Sequence, residues 1–208
     1  MFEGEVPAVI LSGGQSRRMD RNDKAFLSIS DQPLLEIVVD RLRRQTRQVA
    51  INTNSNSPKY FKYGLPVLKD QIGGFLGPLA GVLTAMEWAN DMGYNKVATV
   101  AVDTPLFPKN LLKKLYQKME VNNSDIVFAA SASDHEQKKV LHPVFGLWKT
   151  YLFEDLKNEL EKGMRKVTIW SDKHKASYVF FSDPRIDPFF NVNTPHDIVI
   201  LKEYLRDK

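Results

Sequence analysis

A chain of 208 residues, 43% of them hydrophobic, can bury the core of one ordinary domain without disulfides or structural metals. It contains no cysteine, which excludes disulfide scaffolds, thiolate zinc sites and cysteine nucleophiles and fits a reducing compartment. The net charge of +4 is a mild excess of the kind that serves solubility. The amino-terminal residues lack the pattern of a signal peptide, and no apolar run approaches the roughly 18 residues of a membrane helix. We therefore expect a cytoplasmic protein with no membrane association.

Arginines cluster in two places, at positions 17, 18 and 21 and at positions 41, 43, 44 and 47. The second cluster lies on a predicted helix whose Val38 and Leu42 face inward, which favours a solvated face over a surface for an anionic partner. Aromatic residues are not interleaved with these arginines, as a nucleic-acid platform requires. We expect no nucleic-acid partner, and a phosphate-bearing small molecule explains the first cluster at least as well.

Apolar runs and segments with helical periodicity alternate through the first half of the chain. AVIL at residues 8–11 is continuous rather than alternating, as in a strand buried on both faces. Helices are predicted from apolar spacing and from prolines in their first turns. The predicted strands are residues 8–11, 48–52, 65–69, 96–102 and 125–130, and the predicted helices are residues 34–45, 79–91 and 109–120, with a short helix or turn at 55–64. This repetition predicts an α/β fold, with a Rossmann-like, mostly parallel sheet and helices on both faces.

The second half is less regular. Strands are predicted at residues 142–148 and 176–181, a helix at 151–163, and a final helix that begins near Pro195. No internal repeat, low-complexity tract or linker interrupts the chain. We therefore expect a single domain over residues 1–208, with a substrate-specific carboxy-terminal half.

The segment at residues 9–27, VILSGGQSRRMDRNDKAFL, joins a strand to a basic loop. Gly13 and Gly14 follow the strand at the carboxyl edge of the sheet, where ligands bind and where backbone N–H groups can approach phosphates without a Cβ in the way. Lys24 and the arginines add positive charge, although two glycines alone leave a plain turn equally open. The spacing excludes a P-loop, because Lys24 stands too far from Gly13 and Ala25 follows it, and it also excludes a G-x-G-x-x-G dinucleotide motif.

LSGGQSRRM followed by Asp-Lys resembles the signature of nucleotidyltransferases, and in particular that of the molybdenum cofactor guanylyltransferases (the MobA family). Four further segments resemble motifs of the same family: DQIGGFLGPLAG at 70–81, VAVDTPLFP at 100–108, HPVFGLW at 142–148 and NVNTPHD at 191–197. The resemblance spans residues 9–197, nearly the whole chain. Two positions depart from it: Ser12 stands where alanine is usual, and Asp20 replaces a glycine, which places a carboxylate near the triphosphate path.

The resemblance implies a nucleotide-diphospho-sugar transferase-like fold and a guanylyl transfer that uses Mg²⁺. The terminal phosphate of molybdopterin would attack the α-phosphorus of GTP, which would release pyrophosphate and form the dinucleotide cofactor. Residues 1–105 would form the GTP-binding half and residues 106–208 the molybdopterin-binding half. Recipient molybdoenzymes or their chaperones are the macromolecular partners that the resemblance implies, and the protein is expected to be a monomer.

The same resemblance assigns site residues. Lys24, Asp103 and Arg18 are the catalytic candidates, and Asp103 is also the metal ligand. The residues expected to bind the nucleotide are Leu11, Ser12, Gly13, Gly14, Lys24, Asn52, Asp70 and Asp103. His142, Asn191 and Asn193 are expected on the pterin side.

Physical chemistry supports several of these roles and leaves an alternative for each. Asp103 directly follows an apolar strand, and its hard oxygens suit Mg²⁺, although an Asp before Thr-Pro can also cap a turn. Lys24 can stabilise charge on the leaving pyrophosphate, or it can be a surface lysine. A carboxylate at Asp70 can accept from guanine N1–H and the exocyclic amine, a pair that cytosine does not offer, or it can contact a neighbouring group of GTP.

Three further assignments have structural alternatives. Asn52 can be a turn residue, Asn193 a helix-entry residue, and His142 a satisfied structural histidine.

Other functions remain open from the sequence. A cytidylyltransferase, or another nucleotidyltransferase acting on a phosphorylated metabolite, would keep the fold and change the substrate. A non-catalytic nucleotide-binding module would keep the fold alone, but Asp103 and Lys24 argue against it. An RNA-binding role for the basic helix is the weakest alternative.

Overall fold

The computed structural model of the chain describes residues 6–13, 23–72, 77–132 and 139–206. Its strands are β1 (Ala8–Leu11), β2 (Ser28–Ile29), β3 (Gln32–Pro33), β4 (Val49–Asn52), β5 (Val67–Leu68), β6 (Lys96–Ala101), β7 (Ile126–Ala132), β8 (Lys139–Lys149) and β9 (Ala176–Phe180). Its α-helices are α1 (Leu34–Arg43), α2 (Pro78–Asp91), α3 (Leu111–Asn122), α4 (Phe153–Glu161), α5 (Val167–Ser171) and α6 (Pro195–Arg206). Short 3-10 helices occupy Lys24–Phe26, Pro58–Tyr63 and Thr150–Leu152.

Seven of the strands form one sheet in the order β5-β4-β1-β6-β8-β7-β9. Strands β5, β4, β1 and β6 are mutually parallel, and β9 is parallel to β7. Only β8 is antiparallel to its neighbours β6 and β7 within this sheet. The six residues between β7 and β8 explain its direction, since a parallel crossover needs about a dozen or more. The predicted mostly parallel sheet is confirmed.

Strand β1 is buried on both faces, which explains its continuous apolar sequence. Ala8 and Ile10 pack into a cluster with apolar residues of α1 and α3. Val9 and Leu11 point the other way, into a cluster with residues of α2, α4 and α5. The predicted arrangement of helices on both faces of the sheet is therefore confirmed.

The structure also contains elements that the sequence analysis did not predict. Strands β2 and β3 form a hairpin whose two turn residues, Ser30 and Asp31, both have positive φ (49° and 69°). Such turns usually carry Asn-Gly or a similar pair, so the Ser-Asp sequence gave no clear signal. Helix α5 is a second addition, and its five residues are too few to show periodicity. Among the described residues, no helix is long and apolar enough to span a membrane.

Helix α3 ends in a left-handed residue that is not glycine. Asn123 has φ 47° and ψ 48°, and its backbone N–H donates to the Glu120 carbonyl at 3.2 Å. The preceding Asn122 is the last residue of the helix and is equally exposed. The same side chain therefore occupies two different backbone regions at neighbouring exposed positions.

We predict that Asn123→Ala destabilises the protein by about 1 kcal/mol, because alanine tolerates the left-handed region less well than asparagine. The melting temperature should fall by roughly 2–4 °C. Asn122→Ala is the matched control, and it should leave the melting temperature unchanged or raise it slightly, since alanine favours a helix. Equal effects of the two variants in thermal denaturation would contradict the role of the backbone conformation.

Candidate functional site

The parallel register brings the ends of the central strands to one level. Leu11 at the end of β1 lies opposite Asn52 of β4 on one side and Ala101 of β6 on the other. Asn52 in turn lies opposite Leu68 of β5. The residues that follow these strands therefore share the carboxyl edge of the sheet, as the sequence analysis predicted.

The carboxylate of Asp70 is held in a fixed orientation at this edge. Asn52 Nδ2 donates to Asp70 Oδ1 at 2.8 Å, and Asn54 Nδ2 donates to Asp70 Oδ2 at 2.8 Å. Asn54 Oδ1 also accepts from the Asp70 backbone N–H at 3.0 Å. Asn52 is only 3% exposed, and Asp70 is half-buried. The Asn52 and Asn54 amides each hold one oxygen of the Asp70 carboxylate at the edge of the sheet.

Helix α2 approaches this cluster closely at Gly81. A Cβ at this position would lie 2.6 Å from Asn52 Oδ1 and 3.0 Å from Leu11 Cδ2. Gly77, which precedes the helix, has φ 69°, a conformation that favours glycine. The two glycines thus let α2 begin directly behind the Asn52–Asp70 pair.

Lys24, Asp103 and Asn193 meet at the same edge, although they come from distant parts of the chain. Lys24 Nζ donates to Asn193 Oδ1 at 2.6 Å and lies 3.7 Å from Asp103 Oδ2. The Val192 backbone N–H donates to the Asp103 carbonyl at 2.7 Å, which fixes the carboxy-terminal segment against the end of β6. These contacts bring Lys24, which follows the glycine segment, next to the motif at residues 191–197.

The environment of Asp103 disfavours its charged form. Burial raises the pKa of the Asp103 carboxyl, and the nearby Lys24 ammonium and a hydrogen bond from Asn191 act in the opposite direction without cancelling the effect. A second cation at this carboxylate would offset the remaining cost of burial.

Asn193 is not itself the cap of helix α6. The Asp197 carboxylate accepts from the backbone N–H groups of Asn193 (2.8 Å) and Thr194 (2.7 Å), and Thr194 Oγ1 accepts from the Asp197 N–H at 3.3 Å. This reciprocal pattern is a capping box, so the Asn193 side chain is available to contact Lys24.

A buried tyrosine that the sequence analysis missed links two predicted parts of the site. The hydroxyl of Tyr60 donates to Asp23 Oδ2 at 2.7 Å and lies 2.9 Å from Ser12 Oγ. Asp23 Oδ1 accepts from the Ala25 N–H at 3.2 Å and so caps the turn that carries Lys24. No sequence pattern indicated this role of the Tyr60 hydroxyl, because its hydrogen-bond partners are far away in the sequence.

His142 lies on β8 in an aromatic environment. Its ring stacks on Phe189 with centroids 4.3 Å apart, and its Nε2 lies 2.8 Å from Ser131 Oγ. Ser131 Oγ also donates to Asp187 Oδ2 at 3.3 Å. Burial lowers the pKa of His142, and the Asp187 carboxylate opposes this shift. The sequence analysis identified neither Ser131 nor Asp187.

Some predicted site residues lie outside the described residues, namely Gly14 and Arg18, together with Arg17, Asp20 and Arg21. Gly13 is exposed, and a Cβ there would have no neighbour within 4 Å. Within the described ranges, no group of three or more His, Asp or Glu side chains could hold a metal ion. Asp103 could still hold Mg²⁺, because this ion commonly takes only one or two carboxylates and completes its shell with water and phosphate.

Comparisons with known proteins show the family to which the chain belongs. The family described as the MobA-like NTP transferase domain matches residues 8–176. A molybdenum cofactor guanylyltransferase from Shewanella sediminis is 37% identical over 199 residues, which cover 96% of each chain.

Solved structures share the fold at lower identity. The molybdopterin-guanine dinucleotide biosynthesis protein A from Archaeoglobus fulgidus has a TM-score of 0.76 and 19% identity over 98% of this chain and 100% of its own. The 4-diphosphocytidyl-2C-methyl-D-erythritol synthase from Anaerococcus prevotii has a TM-score of 0.75 and 14% identity over 98% of this chain and 96% of its own. From the sequence matches, the chain belongs to the MobA-like NTP transferases and, within them, to the molybdenum cofactor guanylyltransferase family.

Proposed function

We propose that the protein transfers the guanylyl group of GTP to the terminal phosphate of molybdopterin. A phosphate oxygen of molybdopterin attacks the α-phosphorus, the bond from that phosphorus to the β-bridging oxygen breaks, and pyrophosphate leaves. The observation that carries this proposal is the convergence of Lys24, Asp103 and Asn193 at the carboxyl edge of the sheet. Family membership supplies the reaction class, and the convergence supplies the residues.

The nucleotide would lie across the ends of β1, β4 and β5. Leu11, Ser12, Gly13 and Gly14 would contribute backbone N–H groups and space for the phosphates. Asp70 would read the guanine by accepting from its N1–H and exocyclic amine. The two asparagine amides that hold this carboxylate support the assignment, because a pre-oriented acceptor discriminates between bases more strongly than a mobile one.

Asp103 would hold the Mg²⁺ of the reaction. The burial of its carboxylate, only partly compensated by Lys24 at 3.7 Å, suits a site that takes up a cation together with its substrate. Bound there, Mg²⁺ would supply neutralisation of the phosphate charge. Asp103 itself binds and orients, and it transfers no proton.

Lys24 would stabilise the charge on the leaving pyrophosphate, and Arg18 is proposed to assist it. The ammonium of Lys24 is held by the amide oxygen of Asn193. Its position is thus set before GTP arrives, and little reorganisation is needed during the reaction.

The pterin side would be formed by His142, Asn191 and Asn193. Gly146 of β8 lies opposite Thr99 of β6 in antiparallel register. The part of β8 that contains His142 would therefore lie at the same edge of the sheet as Asp103. The flat ring pair of His142 and Phe189 suits contact with an aromatic heterocycle. Asn191 and Asn193 lie against Asp103 and Lys24, so they would form the boundary between the two substrates.

The wider setting is proposed on the same basis. We infer a single cytoplasmic domain and a monomer, with GTP bound by about residues 1–105, molybdopterin bound by about residues 106–208, and recipient molybdoenzymes or their chaperones as partners. Lys24, Asp103 and Asn193 link the two halves of this division.

We predict that pyrophosphate release with Mg²⁺ and molybdopterin is at least about tenfold faster with GTP than with CTP. Asp70→Asn should reduce this preference, because an amide cannot accept from both guanine donors without presenting its own N–H groups. Asp91→Asn, an exposed substitution at the end of α2, is the matched control. Equal or better use of CTP by the unmodified protein would overturn the guanylyl assignment.

We predict that Asp103→Asn lowers the turnover number by about 100-fold or more, as expected when a charge that positions the reacting phosphates is removed. Circular dichroism and the melting temperature should stay close to those of the unmodified protein, since the amide keeps the shape and removes a buried charge. Asp172→Asn, at an exposed position after α5, controls for the substitution itself. Unchanged turnover would show that Asp103 does not hold the metal.

We predict that His142 makes the protein less stable in mild acid. Its folded pKa lies below the ordinary value of 6.5, so the unfolded chain binds the proton first as pH falls. The contribution of neutral His142 is complete above about pH 6.5 and declines below it. Denaturant unfolding at about pH 7.5 and about pH 5.5 should show a smaller acid loss for His142→Gln. The exposed His196→Gln should keep the full loss, and the same loss in both variants would refute this origin.

A further inference from the structure

Two residues on either side of the basic segment at residues 14–22 contact the same hydroxyl group. Ser12 precedes residues 14–22 and Asp23 follows them, and both hydrogen-bond to Tyr60 OH, at 2.9 Å and 2.7 Å. Tyr60 belongs to neither flank, because it lies on the 3-10 helix between β4 and β5. A third element of the fold therefore sets the distance between the start and the end of this loop.

The position of Tyr60 is itself well determined. Its side chain is 0% exposed, and its ring packs edge-on against Phe26 with centroids 4.9 Å apart. Phe26 is in the same short helix as Lys24. The helix that carries Tyr60 is capped by Ser57, whose hydroxyl accepts from the Lys59 N–H at 3.4 Å. The hydroxyl of Tyr60 is thus presented from a rigid support.

The direction of the hydrogen bonds follows from the groups involved. The ionised carboxylate of Asp23 can only accept, so the single hydroxyl proton of Tyr60 points to Asp23. Ser12 must then donate to the Tyr60 oxygen. Burial raises the pKa of Tyr60 far above neutrality, which keeps the proton in place. The chain runs from Ser12 through Tyr60 to Asp23 in one direction.

The Asp23 end of this series of hydrogen bonds sets the position of Lys24. Asp23 accepts from Tyr60 with Oδ2 and from the Ala25 N–H with Oδ1, so both of its oxygens are engaged. Lys24 is the first residue of the turn that Asp23 caps, and its ammonium reaches Asn193. At the other end, Ser12 is fixed by its backbone N–H, which donates to the Asn52 carbonyl at 2.8 Å.

We propose that Tyr60 is a positioning residue that holds the glycine segment and Lys24 at a fixed separation for the triphosphate. It acts through Asp23 on Lys24 and through Ser12 on Gly13, and it touches no substrate itself. Ser12, which stands where the family usually has alanine, supplies a link that an alanine could not make. The proposal rests on the proposed function, because it takes the triphosphate as the ligand of Gly13 and Lys24.

The test is the equilibrium dissociation constant for GTP with Mg²⁺, measured by calorimetry without molybdopterin. Tyr60→Phe keeps the buried ring and removes the hydroxyl, and it should weaken GTP binding about tenfold. Ser12→Ala should weaken it about threefold, since the Tyr60–Asp23 bond remains. Tyr63→Phe, on the same 3-10 helix, is the matched control and should leave the affinity unchanged.

A double-mutant cycle separates positioning from a general structural effect. In the Lys24→Ala background, Tyr60→Phe should weaken GTP binding by only about threefold, the part exerted through Ser12, because Lys24, which it positions through Asp23, is absent. An equal loss in both backgrounds would overturn the inference, as would unchanged affinity in Tyr60→Phe alone. Failure of the unmodified protein to bind GTP would instead refute the proposed function, so the two failures are distinguishable.

Discussion

The geometry of the site depends on the parallel pairing of β1 with β4 and β6 at one level. These strands end at the same level, with Asn52 as the last residue of β4, Ser12 directly after β1 and Asp103 two residues after the end of β6. A shift by one residue would turn Ile10 toward the α2 layer and Val9 toward the α1 layer, so the buried faces protect the register. The backbone hydrogen bonds between these strands therefore position both the core residues and the residues at the edge of the sheet.

At this edge of the sheet lie charged groups whose charge is only partly compensated by neighbouring residues. Asp103 is half-buried with its Oδ2 3.7 Å from the Lys24 ammonium, and Asp70 is half-buried and fixed by two amides. The first arrangement favours uptake of a cation, and the second favours a ligand that donates two hydrogen bonds. Both arrangements support the proposed nucleotide site, because groups that are already oriented need little reorganisation when a ligand binds.

Much of this could be predicted from the sequence where local rules apply. The apolar run of β1, the positions of Asp103 and Asp70 after their strands, and the prolines that open α2 and α6 all follow from short-range patterns. The partners of these residues could not be predicted in the same way. Lys24 meets Asn193 across 169 positions, and Tyr60 meets Ser12 across 48, and only the packed fold determines such distances.

Two features of the fold, the direction of β8 and the β2–β3 hairpin, were not predicted from the sequence, for different reasons. The antiparallel direction of β8 did not follow from the predicted strands at 125–130 and 142–148, because the eleven residues between them are close to the length of a crossover, whereas the two strands of the structure are longer and leave six. The hairpin of β2 and β3 was not predicted because Ser30 and Asp31 carry positive φ without the usual glycine. Family resemblance assigned candidate site residues but gave no indication of the contacts that Tyr60, Asn54 and Asp187 make with them.

The long reach from Lys24 to Asn193 also has a consequence for synthesis on the ribosome. A growing polypeptide contains β1, β4, β5 and β6 long before β8, which pairs with the outer side of β6. Until β8 emerges, β6 is an open edge, and until Asn193 and α6 follow, Lys24 lacks its amide partner. The nascent protein can thus assemble its parallel strands early, while the charge arrangement is completed only by a segment that emerges 169 residues after Lys24.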